Sequence, residues 1–293
     1  MPKIGLVVDE GADLTPEIIE KHQIAIVPFK MDWPDLEKMP GENTFQKMRE
    51  GERQGIKSFG KTSQPSPKDF LDAYRKQLQV FDNLICITIT SVHSGTYNSA
   101  CQAKNFLEPE KQDNVFVLDS MSGSGGQGLL VLKAIDLIEK EDSKTENVFR
   151  DLESFRSKTM VRGILKDPKW MEASGRVSPT IAGWIRKMEK IGLRPIIGIK
   201  KGTIKAVGIK AGAKDIPTTL VREFEDKAKN LLKENKKIRV AITHGDNREM
   251  AQELKNALEG KFKEVEIVFI NLIDNVLGVL VGPDALILSW SEV

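Results

Sequence analysis

The first half of the chain alternates short, uninterrupted apolar runs with stretches of helical periodicity. The apolar runs cover residues 3–8, 84–89 and 115–118, and each ends in polar residues before a helical pattern begins. A strand that is apolar at every position is buried on both faces, and long connections between such strands contain helices. The pattern therefore predicts a parallel sheet with helices on both faces, a three-layer α/β domain over residues 1–158.

The pattern changes after residue 158. Residues 194–199 and 203–207 predict a hairpin around a Lys-Gly turn. Apolar residues on one face predict a long helix from 216 to 231, and strands and helices then alternate towards the C-terminus. A chain of 293 residues has the length of two domains. We therefore predict a second, α+β domain over residues 159–293.

Hydroxyl-bearing residues gather in the loops next to the predicted helices of the first domain. Three groups, at residues 62–66, 91–94 and 120–122, have this character. Ligands of open parallel sheets bind outside the carboxyl ends of the strands, so we expect the groups to converge there. Ser94 falls at or near the start of a helix, where its hydroxyl and free N–H groups can bind an anionic oxygen. Gly95 beside it allows a ligand to approach the backbone closely.

The segment after Thr62 and Ser63 carries a strong helix-start signal. Ser66 can cap the helix, Pro67 suits its first position and Asp69 can complete a capping box. The prolines also make the preceding loop stiff. We expect this stiffness to hold the hydroxyls of Thr62 and Ser63 in a fixed place.

Charge and composition exclude several classes of protein. Lys plus Arg is 44 and Asp plus Glu is 42, and this near balance argues against a dedicated nucleic-acid-binding protein. The two cysteines, Cys86 and Cys101, provide no disulfide framework, and no metal-ligand spacing occurs elsewhere. No apolar run approaches the roughly 20 residues of a membrane helix. We therefore expect no integral membrane segment and a cytoplasmic location.

Other patterns suggest different chemistry. His93 beside Ser94 suggests a serine hydrolase with Ser94 as nucleophile, although sequence neighbours rarely have the geometry for proton transfer. Residues 123–128 have the glycine spacing of a dinucleotide-binding loop, but no acidic residue follows at a strand end. Residues 55–62 match a phosphate-binding loop, but prolines interrupt the helix that this loop requires. A hydrolase is the first alternative to a binding protein, and a dinucleotide-binding domain is a more distant one.

Four motifs stand in order along the chain. They are Thr62-Ser63-Gln64-Pro65-Ser66, Ser94-Gly95-Thr96-Tyr97-Asn98-Ser99-Ala100, Asp119-Ser120-Met121-Ser122 and Gly175-Arg176-Val177-Ser178. Together they resemble the DegV family of fatty-acid-binding proteins, and the resemblance runs nearly end to end. It implies a two-domain α/β protein in which a long-chain fatty acid lies in a tunnel between the domains. Because no catalytic base accompanies the paired hydroxyl-bearing loops, we predict a non-enzymatic lipid-binding protein.

The resemblance also implies how the ligand is held. In that family the carboxylate is bound by the threonine of the first motif and the serine of the second, which are Thr62 and Ser94 here. The arginine of the fourth motif, Arg176, would lie near the same head group. Burial of the acyl chain, at about 0.8 kcal/mol per CH₂, would supply most of the affinity. The candidate ligand-binding residues are therefore Thr62, Ser63, Ser91, Ser94, Gly95, Thr96 and Arg176.

Some family members present the acid to a fatty acid kinase, which phosphorylates the carboxylate. The resemblance therefore implies such a kinase as a partner, with the fatty acid as the bound ligand and no cofactor. Ala211 stands where many members have arginine, and Leu280 stands where members often have histidine. Both differences remove polar groups expected around the head group. They argue against the phosphorylation role more than against fatty acid binding.

Overall fold

The computed structural model describes residues 2–140, 144–191, 193–211 and 215–293. The chain forms two compact units, and each is built from separate stretches of sequence. Unit 1 comprises Met1–Lys30, Ser63–Thr159 and Lys201–Thr203. Unit 2 comprises Met31–Thr62, Met160–Lys200 and Ile204–Val293.

Strands and helices are numbered along the chain. The strands are β1 (Ile4–Asp9), β2 (Ala25–Val27), β3 (Lys30–Asp32), β4 (Lys61–Ser63), β5 (Asn83–Thr88), β6 (Val115–Asp119), β7 (Met160–Ile164), β8 (Leu193–Lys200), β9 (Thr203–Ala211), β10 (Ile238–His244), β11 (Val265–Leu272) and β12 (Leu286–Glu292). The helices are α1 (Pro16–Lys21), α2 (Pro34–Glu37), α3 (Thr44–Arg53), α4 (Pro67–Gln77), α5 (Thr96–Asn105), α6 (Pro109–Gln112), α7 (Gly125–Ile138), α8 (Thr145–Phe155), α9 (Lys169–Ala173), α10 (Pro179–Lys190), α11 (Ile216–Lys233), α12 (Arg248–Lys261) and α13 (Asn275–Val281). Glu10–Ala12 and Arg156–Lys158 form single 3-10 turns.

Unit 1 contains a parallel sheet with the strand order β2-β1-β5-β6. Helices α4 and α5 cover one face, where Phe70 and Tyr74 pack against Val7, Leu84 and Cys86 of the strands. Helices α7 and α8 contact the sheet from the other face. Since both faces are covered, the strands are apolar along their length. The predicted three-layer α/β architecture is confirmed for this unit.

The predicted start of α4 is confirmed in detail. The Ser66 hydroxyl accepts a hydrogen bond from the Asp69 N–H, and the Asp69 carboxylate accepts one from the Ser66 N–H. Pro67 occupies the first turn. A hydrogen bond from Lys30, at 2.9 Å, lowers the pKa of Asp69 to about 2, so the capping box is intact at neutral pH. The loop before α4 therefore ends at a well-defined helix start.

Unit 2 contains a mixed sheet with the strand order β11-β10-β12-β7-β8-β9. β10 pairs in parallel with β11, whereas the pairs β10–β12, β12–β7 and β7–β8 are antiparallel. Helices α11 and α12 pack on one face around Leu220, Phe224 and Leu254. The opposite face packs against a second apolar cluster that includes Phe45, Met48 and Trp170. The predicted α+β character of the C-terminal part is confirmed.

Unit 2 also contains elements that the sequence pattern did not predict. β7 lies between β12 and β8, although Arg162 and Gly163 interrupt its apolar run. Arg162 is buried because Glu223 of α11 pairs with it at 3.0 Å. A distant carboxylate of this kind leaves no local signal in the strand itself. Helices α9 and α10 between β7 and β8 were likewise not predicted.

The division into units is more complex than a single boundary at 158/159. The chain does pass from unit 1 to unit 2 between Thr159 and Met160. It also enters unit 2 at Met31 and leaves it after Thr62, within the two strands β3 and β4, which form a small sheet of their own. Residues 31–62 contribute Trp33, Leu36 and Phe45 to the unit 2 core, and this long-range packing explains the assignment.

None of the described helices is both long enough and apolar enough to cross a membrane.

Candidate functional site

Thr62 and Arg176 of unit 2 lie together. Thr62 is in β4, and Arg176 is in the loop between α9 and α10. The Nη2 group of Arg176 donates to the Thr62 hydroxyl at 3.3 Å, and Nη1 donates to the carbonyl oxygen of Ser174 at 3.0 Å. Gly175, with a φ of +73°, turns the chain between these contacts. The fourth and first motifs are thus joined by a side-chain hydrogen bond.

Arg176 has no acidic partner among the described residues. Burial lowers the pKa of the half-buried guanidinium, and no carboxylate opposes this effect. Four basic residues nearby in sequence do form ion pairs: Arg162 with Glu223, Lys166 with Asp284, Lys169 with Glu52 and Asp167, and Arg186 with Glu172. A desolvated cation beside a hydroxyl is suited to bind an anionic ligand.

Ser94 lies at the corner between β5 and α5 in unit 1. Gly95 is the N-cap residue of α5 and Ser94 precedes it, which confirms the prediction that Ser94 lies at or near the helix start. The hydroxyls of Ser94 and Thr96 are 2.6 Å apart, and the Thr96 N–H donates to the Ser94 hydroxyl at 3.3 Å. Thr96 is buried, whereas Ser94 is partly exposed. The corner therefore presents one hydroxyl that a second, buried hydroxyl orients.

The first and second motifs meet at Gly95. A Cβ atom on Gly95 would lie 2.6 Å from Nε2 of Gln64, so only glycine leaves room for this side chain without a shift. Ser63, next to Gln64, is exposed. The close approach places the Ser63–Gln64 segment beside the start of α5. Gln64 was not among the candidate residues, and its position inside the first motif was the only available signal.

The loops after β5 and β6 are tied together by Asp119. Its Oδ1 atom accepts hydrogen bonds from the N–H of Ser91 at 3.2 Å and of Met121 at 2.8 Å. The Thr90 N–H donates to the carbonyl oxygen of Ser122 at 2.8 Å. The expected convergence of residues 91–94 and 120–122 is therefore confirmed within unit 1. Asp119 positions Ser91, and the sequence indicated this role only through its place in the third motif.

The alternatives find little support in these contacts. Among described residues, the hydroxyl of Ser94 bonds to Thr96 and not to a histidine ring. The described ranges contain no group of three or more His, Cys, Asp and Glu side chains that could hold a metal ion. These contacts do not form a nucleophile–base pair of the kind that serine hydrolases use.

The glycine-rich start of α7 is occupied by the protein's own carboxylates. The Ser124 hydroxyl donates to Asp13 at 2.5 Å, and Gln127 donates to Asp9 at 3.1 Å. All four side chains are buried. Carboxylates at this helix start would repel a pyrophosphate, so the segment is unsuited to a dinucleotide.

The two positions that differ from the family pattern have different environments. Leu280 lies in α13, is 9% exposed and belongs to the apolar cluster of unit 2. Ala211 is exposed at the end of β9. Leucine at 280 thus contributes to the core.

Comparison with known proteins agrees with the motifs. A family model described as "Uncharacterised protein, DegV family" matches residues 3–293. A DegV domain-containing protein of Clostridium acetobutylicum is 30% identical over 286 residues, which cover 91% of this chain and 92% of the relative. A Thermotoga maritima protein named "Fatty acid-binding protein" is 28% identical, with 96% of this chain and 95% of the relative covered.

The fold is shared as well. A solved structure of a DegV family protein from Thermus thermophilus, described by its fatty acid binding, superimposes with a TM-score of 0.81 at 26% identity. The superposition covers 99% of this chain and 100% of that one. Because the family match spans the chain almost from end to end, through both sheets and all four motifs, this chain belongs to the DegV family.

Proposed function

We propose that this chain is a non-enzymatic protein that binds a long-chain fatty acid. The carboxylate accepts hydrogen bonds from the hydroxyls of Thr62 and Ser94 and pairs with the guanidinium of Arg176. The observation that carries the proposal is the state of Arg176, a half-buried cation with a hydroxyl beside it and no carboxylate partner among the described residues. A single carboxylate from the ligand would satisfy this group.

The remaining candidate residues complete the surroundings of the head group. Gly95 leaves room for the Gln64 side chain at the start of α5, and the Thr96 hydroxyl orients that of Ser94. Ser63 and Ser91 are exposed and can donate further hydrogen bonds. The relatives named for fatty acid binding support the choice of ligand. The acyl chain adds about 0.8 kcal/mol per buried CH₂, so a long chain binds more tightly than a short one.

The direct test is the ligand itself. Protein purified without added lipid should release fatty acid on extraction with organic solvent, as identified by mass spectrometry. The delipidated protein should then take up hexadecanoic acid in a calorimetric titration. A protein that yields no fatty acid and also takes up none would contradict the proposal.

Replacement of the two hydroxyls should weaken binding. Thr62→Val and Ser94→Ala should each reduce the free energy of binding by about 1.5–3 kcal/mol, because each loses a hydrogen bond to a charged group. Thr180→Val, at an exposed position of α10, is the matched control and should bind like the unmodified chain. Ser94→Ala also removes the partner of Thr96, so the melting temperature should be measured in parallel. Unchanged affinity in the double variant would exclude the two hydroxyls from the site.

Within this proposal, the chain acts as a carrier that offers its fatty acid to other proteins. A fatty acid kinase is the class of partner that the family resemblance implies. Incubation of the loaded protein with such a kinase and ATP should produce a phosphorylated acid. Absence of phosphate transfer, with bound fatty acid present, would leave storage or sensing as the role.

A further inference from the structure

Three aromatic side chains of unit 2, Trp33, Phe59 and Trp170, form a cluster that we call the aromatic bracket. The ring centroids of Trp33 and Trp170 are 6.0 Å apart, and those of Phe59 and Trp170 are 5.4 Å apart with an edge-on orientation. Trp33 and Trp170 are buried, but 44% of Phe59 is exposed. Edge-on aromatic pairs contribute more than their buried area alone, so the contact with Trp170 stabilises the position of Phe59.

The aromatic bracket lies next in sequence to both residues of the candidate anion site. Phe59 precedes Thr62 by three residues, and Trp33 directly follows β3, the strand paired with β4. Trp170 is in α9, which leads into the loop of Arg176. The bracket therefore connects the segment that carries Thr62 with the segment that carries Arg176.

Close packing on both sides leaves the bracket little freedom. A Cβ atom on Gly60 would lie 2.9 Å from the Trp33 ring, and one on Gly282 would lie 2.1 Å from the Trp170 ring. The indole N–H of Trp33 donates to the Ser58 hydroxyl at 3.0 Å. Ser58 and Gly60 thus attach the chain just before β4 to Trp33, whereas Phe59 attaches it to Trp170 of α9.

We propose that Phe59 is a positioning residue, which holds Thr62 at hydrogen-bond distance from Arg176 through its ring contact with Trp170. This inference rests on the proposed function, because the arrangement that it preserves is the one that receives the carboxylate. Without the ring, the segment before β4 loses its attachment to α9. The ligand must then order Thr62 and Arg176 when it binds, and that ordering reduces affinity.

The test compares Phe59→Ala with Phe59→Tyr and with Ile209→Ala, a control at a large apolar residue of unit 2 that is 42% exposed. Affinities for dodecanoic, tetradecanoic and hexadecanoic acids are measured in each. Phe59→Ala should reduce the affinity about threefold to tenfold, by the same factor for all three acids, as expected for an effect on the head group. Phe59→Tyr, which keeps the ring, and Ile209→Ala should bind like the unmodified chain.

A double-variant cycle and a ligand-free measurement separate positioning from other roles. In the background of Arg176→Gln, Phe59→Ala should cause little further loss, since the guanidinium that Phe59 holds in place for the carboxylate is already absent. In the absence of fatty acid, phenylglyoxal should modify Arg176 faster in Phe59→Ala, as measured by peptide mapping. The melting temperature should change little because nearly half of Phe59 is exposed.

Three results would overturn the inference. The first is unchanged affinity in Phe59→Ala, and the second is a loss of affinity that grows with the length of the acyl chain. The third is a loss of affinity on Phe59→Ala that is as large in the Arg176→Gln background as in the unmodified chain. The second of these would instead make Phe59 a wall of the acyl site. If the unmodified chain binds none of the three acids, the proposed function fails. Faster modification of Arg176 in Phe59→Ala would even then support the positioning role, and an unchanged rate would refute it.

Discussion

Replacement of Arg176 by glutamine should reduce the affinity for a long-chain fatty acid by roughly tenfold to 150-fold, because it removes about 1.5–3 kcal/mol of hydrogen bonding between two charged groups. Glutamine retains a donor for Thr62 but carries no charge. The loss should be seen in calorimetric titration of the delipidated protein with hexadecanoic acid. Arg176 has no acidic partner among the residues that the structure describes, so the variant breaks no ion pair with any of them.

The matched control is Arg186→Gln. Arg186 lies in α10 of the same unit and pairs with Glu172 at 2.8 Å, with 41% of its side chain exposed. An exposed pair of this kind contributes about 0–1 kcal/mol to stability, and it should contribute nothing to binding. Equal losses in the two variants would point to a general effect of positive charge. Unchanged affinity in Arg176→Gln would show that Arg176 does not pair with the carboxylate of the ligand.

The features predicted correctly from sequence depend on neighbours along the chain. The helix start at Ser66 and Asp69 is encoded within four residues, and the structure contains both hydrogen bonds of the capping box. The strands β1, β5 and β6 are recognised because each contains a continuous apolar run, as expected for strands covered on both faces. Ser94 could be placed near the start of a helix because it stands between an apolar run and a stretch of helical periodicity.

The features that were missed depend on contacts between distant residues. β7 contains Arg162, whose burial requires Glu223 from a helix some sixty residues later in the chain. The assignment of residues 31–62 to unit 2 depends on packing of Trp33 and Phe45 with residues beyond 160. The absence of a described acidic partner for Arg176 is likewise a property of three-dimensional arrangement. The motif therefore identified the residue, but only the structure indicates why it would attract an anion.

The buried ion pair of Glu223 provides the largest expected effect on stability. Glu223 of α11 accepts a hydrogen bond from Arg162 of β7 at 3.0 Å and pairs with Lys210 of β9 at 3.4 Å. The side chains of Arg162 and Glu223 are 7% and 2% exposed. Glu223→Gln should lower the free energy of unfolding by about 3–5 kcal/mol, because it leaves the buried charge of Arg162 without its partner.

Tryptophan fluorescence during urea unfolding can measure this loss in unit 2 specifically. The four tryptophans, at 33, 170, 184 and 290, all belong to that unit. Trp290 also lies close to the guanidinium of Arg162, with 5.8 Å between the ring centroid and the Cζ atom. Glu225→Gln is the matched control, since Glu225 pairs with Lys261 at an exposed site and should contribute less than about 1 kcal/mol.

A double substitution distinguishes an unpaired charge from a general packing defect. Arg162→Met combined with Glu223→Leu removes both charges and keeps similar volumes, and such replacements of buried pairs are often neutral or stabilising. The double variant should therefore unfold at a higher urea concentration than Glu223→Gln. If the two unfold together, poor packing rather than the isolated charge of Arg162 causes the loss. If Glu223→Gln unfolds like the unmodified chain, the ion pair does not hold α11 against β7 and β9.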